Sequence, residues 1–275
     1  MSKIRLDVLL VERNLIETRE KAKRVIMAGL VFSEQNRLDK PGMKVNEDIP
    51  LTVKGKLIPY VGRGGLKLEK ALKHFFISVE DKIMVDIGSS TGGFTDCALQ
   101  NGAKLCYAID VGYNQLDWKL RSDDRVVVME KTNFRYVTPD MLQNGLPDMA
   151  TIDVSFISLK LILPVLKQLL KPNSDIVVLV KPQFEAGREE VGKKGIVRDK
   201  KIHKKVLDKI LSFALDEGYQ LYGLTYSPIT GGDGNIEFLV HLGWNNEKEG
   251  KELNGVELEQ VVEQAHVNFT AHRLQ

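Results

Sequence analysis

The chain of 275 residues has only 2 cysteines, Cys97 and Cys106, and they form no Cys-x-x-Cys pair. That spacing excludes a disulfide framework, argues against a zinc site, and makes a reducing cytoplasm the expected compartment. No apolar run approaches the ~20 residues needed to span a bilayer; the strand-like Ile176–Val180 is among the longest. The opening Met1-Ser-Lys-Ile-Arg-Leu-Asp7 lacks the apolar core of a signal peptide. Internal repeats and low-complexity segments are missing too. So is Gly-x-Gly-x-x-Gly, the turn that cradles a dinucleotide pyrophosphate, and a nicotinamide dehydrogenase would need it.

What is present is the composition of a globular protein, 43% hydrophobic and 28% charged, with room for one or two packed domains. The net charge of +2 is small but uneven. Residues 1–60 hold 12 Lys and Arg against 8 Asp and Glu, a surplus of 4, whereas the segment from Asn245 onward is rich in glutamate. Such asymmetry points to a partner for the basic end.

The chain is organised around Val85-Asp-Ile-Gly-Ser-Ser-Thr-Gly-Gly-Phe94. Ile83–Ile87 reads as a buried strand, Phe94–Leu99 as a helix, and the glycine turn between them has the spacing Gly-x-x-x-Gly-Gly. Ligands of a doubly wound sheet sit at such a strand end. The spacing favours a nucleoside without pyrophosphate; an ordinary βα turn is the plainer alternative. Asp86, Gly88, Ser89, Ser90, Thr91, Gly92, Gly93 and Phe94 are the candidate contacts. Asp110 ends the next strand, where a carboxylate can accept both hydroxyls of a ribose or else cap a solvated turn. Adenosine is thus a sensible ligand part, and S-adenosylmethionine needs no pyrophosphate cradle.

Further strands are expected at 105–110, 125–129, 149–154 and 175–181, with helices at 114–121, 158–170 and 201–217. Two last strands, 219–226 and 235–242, are separated only by a Pro/Gly-rich turn and should pair antiparallel. Alternating βα units fix a parallel sheet. With its closing antiparallel hairpin this α/β pattern resembles the Rossmann-like class I methyltransferases.

Ahead of it, Leu6, Leu9 and Leu10 have helical spacing, and a second helix starts near Thr18 and stops at Gly29. Strands are expected at 31–33 and 49–53. Arg5-Leu-Asp, Thr18-Arg-Glu-Lys-Ala-Lys and Ile26-Met-Ala-Gly-Leu-Val resemble an S4 domain, a small α+β RNA-binding module. The resemblance implies Arg5, Arg19, Lys23 and Arg24 as RNA contacts; a solvated helix face is the alternative. Where many S4 domains have Val-x-Val-Asn-Gly, this chain reads Val31-Phe-Ser-Glu-Gln-Asn-Arg37. The expected organisation is an S4-like domain over 1–54, a linker over 55–62, a catalytic domain over 63–245 and an acidic, helical segment over 246–275.

Three polar residues end strands of the sheet: Asp153, Lys181 and Glu237. An unpaired ammonium at Lys181 would be costly to bury, so the carboxylates should be near it, as machinery or as a structural ion pair. With Lys67 they resemble the Lys-Asp-Lys-Glu tetrad of FtsJ-like ribose 2′-O-methyltransferases. Over nearly the whole chain, Val61-Gly-Arg-Gly-Gly-Leu-Lys-Leu68, the glycine turn and Val180-Lys-Pro-Gln-Phe-Glu185 resemble the hemolysin A-type rRNA methyltransferase family. The resemblance implies methyl transfer from S-adenosylmethionine to a cytidine 2′-hydroxyl of ribosomal RNA, with ribosomal subunits as partners and no metal. Lys181 would be base or hydroxyl-steering group, Asp153 and Glu237 would orient the lysines, and Lys67 would stabilise developing negative charge. Arg188, Lys193, Lys194 and Arg198, in the irregular stretch after Pro182, are either RNA contacts or a solvated loop. A non-catalytic ribosome-assembly factor is the rival reading. A pore-forming hemolysin finds no export signal or spanning segment in its favour.

Overall fold

The computed structural model describes residues 3–27, 29–54, 58–231, 234–253 and 255–271, the side chains of Lys193 and Ala271 excepted. The chain divides into two compact units, Met1–Pro59 and Tyr60–Gln275. Residues 55–57 of the expected linker, and 254 and 272–275 of the expected acidic segment, lie outside the described residues.

The first unit runs β1 (Lys3–Arg5), α1 (Leu6–Glu12), α2 (Arg19–Met27), β2 (Val31–Ser33), β3 (Asn36–Arg37), β4 (Lys44–Asn46) and β5 (Thr52–Val53). Leu6, Leu9 and Leu10 of α1 meet Ala22, Val25 and Ile26 of α2 in one small core. The Thr18 hydroxyl accepts the Lys21 N–H at 3.3 Å, capping α2, and Gly29 takes φ +69° to end it. β1 pairs with β4, and β2 lies between β3 and β5.

The second unit opens with α3 (Gly64–Phe75) and continues through β6 (Ile83–Ile87), α4 (Gly93–Gln100), β7 (Leu105–Ile109), α5 (Trp118–Arg121), β8 (Val126–Met129) and β9 (Met149–Ile152). It closes with α6 (Leu163–Leu166), β10 (Ser174–Val180), α7 (Pro182–Glu185), α8 (Lys200–Asp216), β11 (Gln220–Tyr226), β12 (Phe238–Trp244) and α9 (Leu258–Ala271). The seven strands lie in the order β11-β12-β10-β9-β6-β7-β8, with only β12 antiparallel to its neighbours. Every residue of β9 and β12 is buried, as strands covered on both faces require. The chain leaves β6 toward β7 and β8, then crosses to β9 on the other side. The β6/β9 boundary is therefore the switch point at which such sheets take ligands.

Two expected helices are shorter than their apolar spacing suggested. Only Trp118–Arg121 of 114–121 is helical, because Glu130 accepts the N–H groups of Asn114, Gln115 and Leu116 and draws that loop aside. Residues 158–170 break into a 3-10 turn at Leu159–Leu161 and the short α6, which starts at Leu163 with Pro164, a residue with no N–H to continue a helix, in its first turn. β12 begins at Phe238, not 235, since the Asn235 side chain turns a corner by bonding Val197 N and Gly195 O.

Candidate active site

At the end of β6, Gly88 has φ +83°, and a Cβ there would collide with the Asp153 carbonyl oxygen. Glycine is thus required twice, for its backbone angle and for the approach of β9. Gly88 and Ser89 donate their N–H groups to Ile109 O at 2.9 and 3.1 Å, which ties the turn to β7. Ser90 N and Gly112 N donate to the two carboxylate oxygens of Asp110 at 2.8 and 2.7 Å. That carboxylate is fixed at the rim of a cavity of about 380 Å³ floored by Ile87, Ile109 and Phe134. A second cavity of about 420 Å³ adjoins it, sharing Gly88, Ser90, Asp153, Ser155 and Phe156.

Lys67, Asp153, Lys181 and Glu237 all line this second cavity. Lys67 Nζ lies 2.6 Å from Glu237 Oε2 and 3.8 Å from Asp153 Oδ2. Lys181 Nζ lies 2.5 Å from Asp153 Oδ1 and donates to Ser155 Oγ at 3.0 Å. The four form a chain, Glu237–Lys67–Asp153–Lys181, with both lysines and Glu237 buried and Asp153 half-buried. Two buried ammoniums are tolerable because two carboxylates share the space. Glycine at 231 leaves room for the Glu237 carboxylate.

Of the turn residues singled out in the sequence, Gly88, Ser89, Ser90, Thr91, Gly93 and Phe94 line the cavities; Asp86 and Gly92 line neither. Alternation along β6 turns Asp86 under α4. Fully buried, it accepts from Thr95 N (3.1 Å), Thr95 Oγ1 (2.7 Å) and Thr151 Oγ1 (2.9 Å), and burial pushes its pKa up to about 6. It braces the turn from below. Gly92 is glycine because a side chain would strike Leu116 and Leu120.

Sequence reasoning missed Ser155, the aromatic pair Phe156–Phe184 and Arg63, all lining the site. Phe156 is 90% exposed, has φ +63°, and packs against Phe184 with ring centroids 4.8 Å apart and planes tilted by 52°. An aromatic residue held left-handed in solvent costs roughly 1–2 kcal/mol, and no local sequence pattern signals it. Glu185 is buried and accepts from Ser158 Oγ and Leu159 N, both at 2.7 Å, which fixes the end of that loop. Burial raises its pKa.

The basic candidates are placed differently. Arg5 Nε and Arg19 Nη2 pair with buried Asp7 at 2.9 and 3.1 Å, Lys23 with Glu20 at 2.8 Å, and Arg24 donates to Ile58 O at 3.4 Å. Arg188, Lys194 and Arg198 are exposed; the Lys193 side chain lies outside the described residues. The described residues contain no helix long and apolar enough to cross a membrane and no group of three or more His, Cys, Asp or Glu able to hold a metal ion.

A switch-point cleft with a glycine turn, a strand-end carboxylate and a buried Lys/Asp/Lys/Glu chain defines a Rossmann-like methyltransferase carrying a separate N-terminal unit. Comparison with known proteins gives the family. The FtsJ-like methyltransferase profile matches residues 60–244 and the S4 domain profile residues 4–48, so the chain belongs to the FtsJ-like methyltransferase family and carries an S4 domain. It is 71% identical over 265 residues to "Putative rRNA methyltransferase YqxC" of Bacillus subtilis, covering 96% of this chain and 94% of the relative. It is 39% identical to "16S/23S rRNA (cytidine-2'-O)-methyltransferase TlyA" of Mycobacterium tuberculosis, covering 95% of this chain and 96% of that one. A solved structure titled "Putative hemolysin from Streptococcus thermophilus" superposes with a TM-score of 0.80 at 55% identity, over 100% of both chains. The resemblance to hemolysin A-type methyltransferases therefore extends over both units.

Proposed function

We propose that this protein transfers a methyl group from S-adenosylmethionine to the 2′-hydroxyl of a cytidine in ribosomal RNA, acting on ribosomal subunits in the cytoplasm. The observation that carries the reading is the Glu237–Lys67–Asp153–Lys181 chain beside the glycine turn. The residues fit the donor: an apolar cavity of about 380 Å³ with Asp110 at its rim suits a nucleoside, and the close turn at Gly88 leaves no room there for a side chain. Ser89, Ser90, Thr91, Gly93 and Phe94 would hold its methionine end, and Asp110 its ribose. Bound there, S-adenosylmethionine supplies a methyl group on an electrophilic sulfonium.

The rest falls to the chain's own residues. A ribose hydroxyl is a weak nucleophile until its proton is drawn off. Lys181 Nζ, held by Asp153 Oδ1 and Ser155 Oγ, is the atom placed to do this. As a base it must meet the hydroxyl uncharged; as a steering group it keeps its N–H donors and orients the oxygen lone pair. Lys67, gripped by Glu237, stabilises negative charge that grows on that oxygen. The exposed ring of Phe156, backed by Phe184, offers an apolar face for the base of a nucleotide drawn into the cleft. Arg5, Arg19, Lys23 and Arg24 would contact structured RNA through phosphates, giving salt-sensitive binding. Arg188, Lys193, Lys194 and Arg198 would add contacts beside the site.

The test is transfer from isotopically labelled S-adenosylmethionine to ribosomal subunits from cells lacking the modification, followed by nucleoside mass spectrometry. Label in 2′-O-methylcytidine is expected. Label on a base, or none in ribosomal RNA, would overturn the reading and leave the assembly-factor alternative.

A further inference from the structure

A groove leaves the active site along α3. Ile229 lines both the catalytic cavity and this groove, and His74 lines both the groove and a separate cavity of about 540 Å³ at the far end of the helix. Arg63, Lys70 and His74, spaced seven and then four residues apart, share one helix face, and Lys73 adds an exposed ammonium that pairs with Glu69 at 3.0 Å. Arg63 donates to Thr230 O at 3.1 Å and Lys70 to Tyr226 O at 2.5 Å, so both bases are fixed along the groove.

The far cavity is aromatic. His241 lies between Tyr222 and Phe75, with ring centroids at 4.9 and 5.4 Å. Its Nε2 is 2.9 Å from Asp175 Oδ1, and Lys82 holds the other oxygen at 2.6 Å, so the imidazole cannot swing. An irregularity in β11 between Leu221 and Gly223 re-aims Tyr222, whose ring lies against Gly243 where any side chain would collide. Phe76, at the cavity edge, is 94% exposed. The opposite wall is Glu257 and one face of the α9 that follows it, and the lining Glu257, Gln260 and Gln264 are all exposed.

We infer that this groove binds single-stranded RNA flanking the target nucleotide, and that the far cavity takes one unpaired base. The inference rests on the RNA substrate proposed above. A basic track ending in aromatic rings is the construction that holds single strands. Two amides and a carboxylate suit the edge of a base with an exocyclic amine, and Glu257 would repel a phosphate. Seven to nine residues of α3 separate Lys67 from the cavity, about 10–14 Å. At about 3.4 Å per stacked nucleotide, the captured base lies three or four nucleotides from the methylated ribose.

The experiment uses the full-length Phe76→Ala/Gln264→Ala double variant, both positions being exposed, with single-stranded RNA decamers of random sequence carrying 8-azidoadenosine, a photoreactive base that keeps its exocyclic amine. Wild type should give photo-crosslinks to the peptides bearing Phe75 and Tyr222, and the variant should lose them. In methyl transfer to unmodified ribosomal subunits, the variant's KM should rise on the order of tenfold, the loss of one stacked base, with S-adenosylmethionine affinity unchanged. Unchanged crosslinks and KM would overturn the inference. A raised KM with unchanged crosslinks would also overturn it, pointing to a ribosomal protein on that surface. If wild type methylates no ribosomal RNA, the functional reading fails, and the crosslinks still decide the groove.

Discussion

Both units of the chain set one carboxylate between two cations, and they do it in opposite senses. In the first, Asp7 is wholly buried while Arg5 and Arg19 keep about half their side-chain surface (46% and 54%) in solvent. In the second, the lysines around Asp153 are 10% exposed and the acid 19%. A guanidinium stays charged and can be braced through one edge while offering another, so Asp7 holds two fixed charges that would be free to meet a partner. An ammonium is compact and carries three donors, so one held beside an acid in a cleft can keep a donor for a hydroxyl brought there. The same three-charge motif leaves its cations in solvent in one unit and encloses them in the other.

Breaking the catalytic arrangement should have the largest effect. Lys181→Ala is expected to lower single-turnover methyl transfer by ~10²–10⁴-fold, with S-adenosylmethionine and RNA dissociation constants within a few-fold of wild type. Lys181→Arg should not rescue it, because a guanidinium cannot take a proton. The melting temperature is checked first, since Asp153 and Glu237 would then share only Lys67. A folded Lys181→Ala enzyme with near-normal transfer would make the two motifs alike, both merely structural.

A middling effect is expected from Arg19→Ala with Lys23→Ala. Arg5 still holds Asp7 in this variant, so the helices should stay folded. RNA affinity should fall several-fold, and the slope of log affinity against log salt should shrink by ~1 for each phosphate no longer neutralised. S-adenosylmethionine affinity should not change. An unaltered slope would return both residues to a solvated helix face.

The smallest effect concerns pH. Hydrogen bonds from Arg5, then Arg19, outweigh burial and lower the Asp7 pKa from 3.8 to about 2. A carboxylate depressed by folding stabilises above its unfolded pKa and loses that contribution as pH falls through the folded one. Amide protection factors in α1 and α2, taken against intrinsic exchange at each pH, should therefore fall between pH 4 and pH 2, and Asp7→Asn should flatten that response. A wild-type profile flat over this range would show the bridge to be loose.

Much of the candidate site is legible in the sequence because strand ends are legible. Asp110, Asp153 and Lys181 each follow an apolar run, and a doubly wound sheet brings such positions to one edge. Asp86 looks the same in sequence and faces the other way; which face of β6 meets α4 depends on packing that no local pattern encodes. The loop before α5 defeats a local reading because its N–H groups belong to Glu130, fourteen to sixteen residues away. In the first unit the helices and Gly29 are readable from spacing and caps. The pairing of Arg5 and Arg19 through Asp7 is not, since it joins the start of α1 to the start of α2.

The antiparallel β12, threaded between β10 and β11, sets an order of assembly. Glu237 stands at its start, 170 residues after its partner Lys67. A chain emerging from the ribosome makes its glycine turn, Asp153 and Lys181 long before this strand exists, and contacts so distant in sequence close late. Until β12 inserts, β10 offers a bare edge and Lys67 lacks its tightest anion. Competence thus arrives with the final hairpin, and a nascent chain stalled before it would hold the turn but an unfinished catalyst.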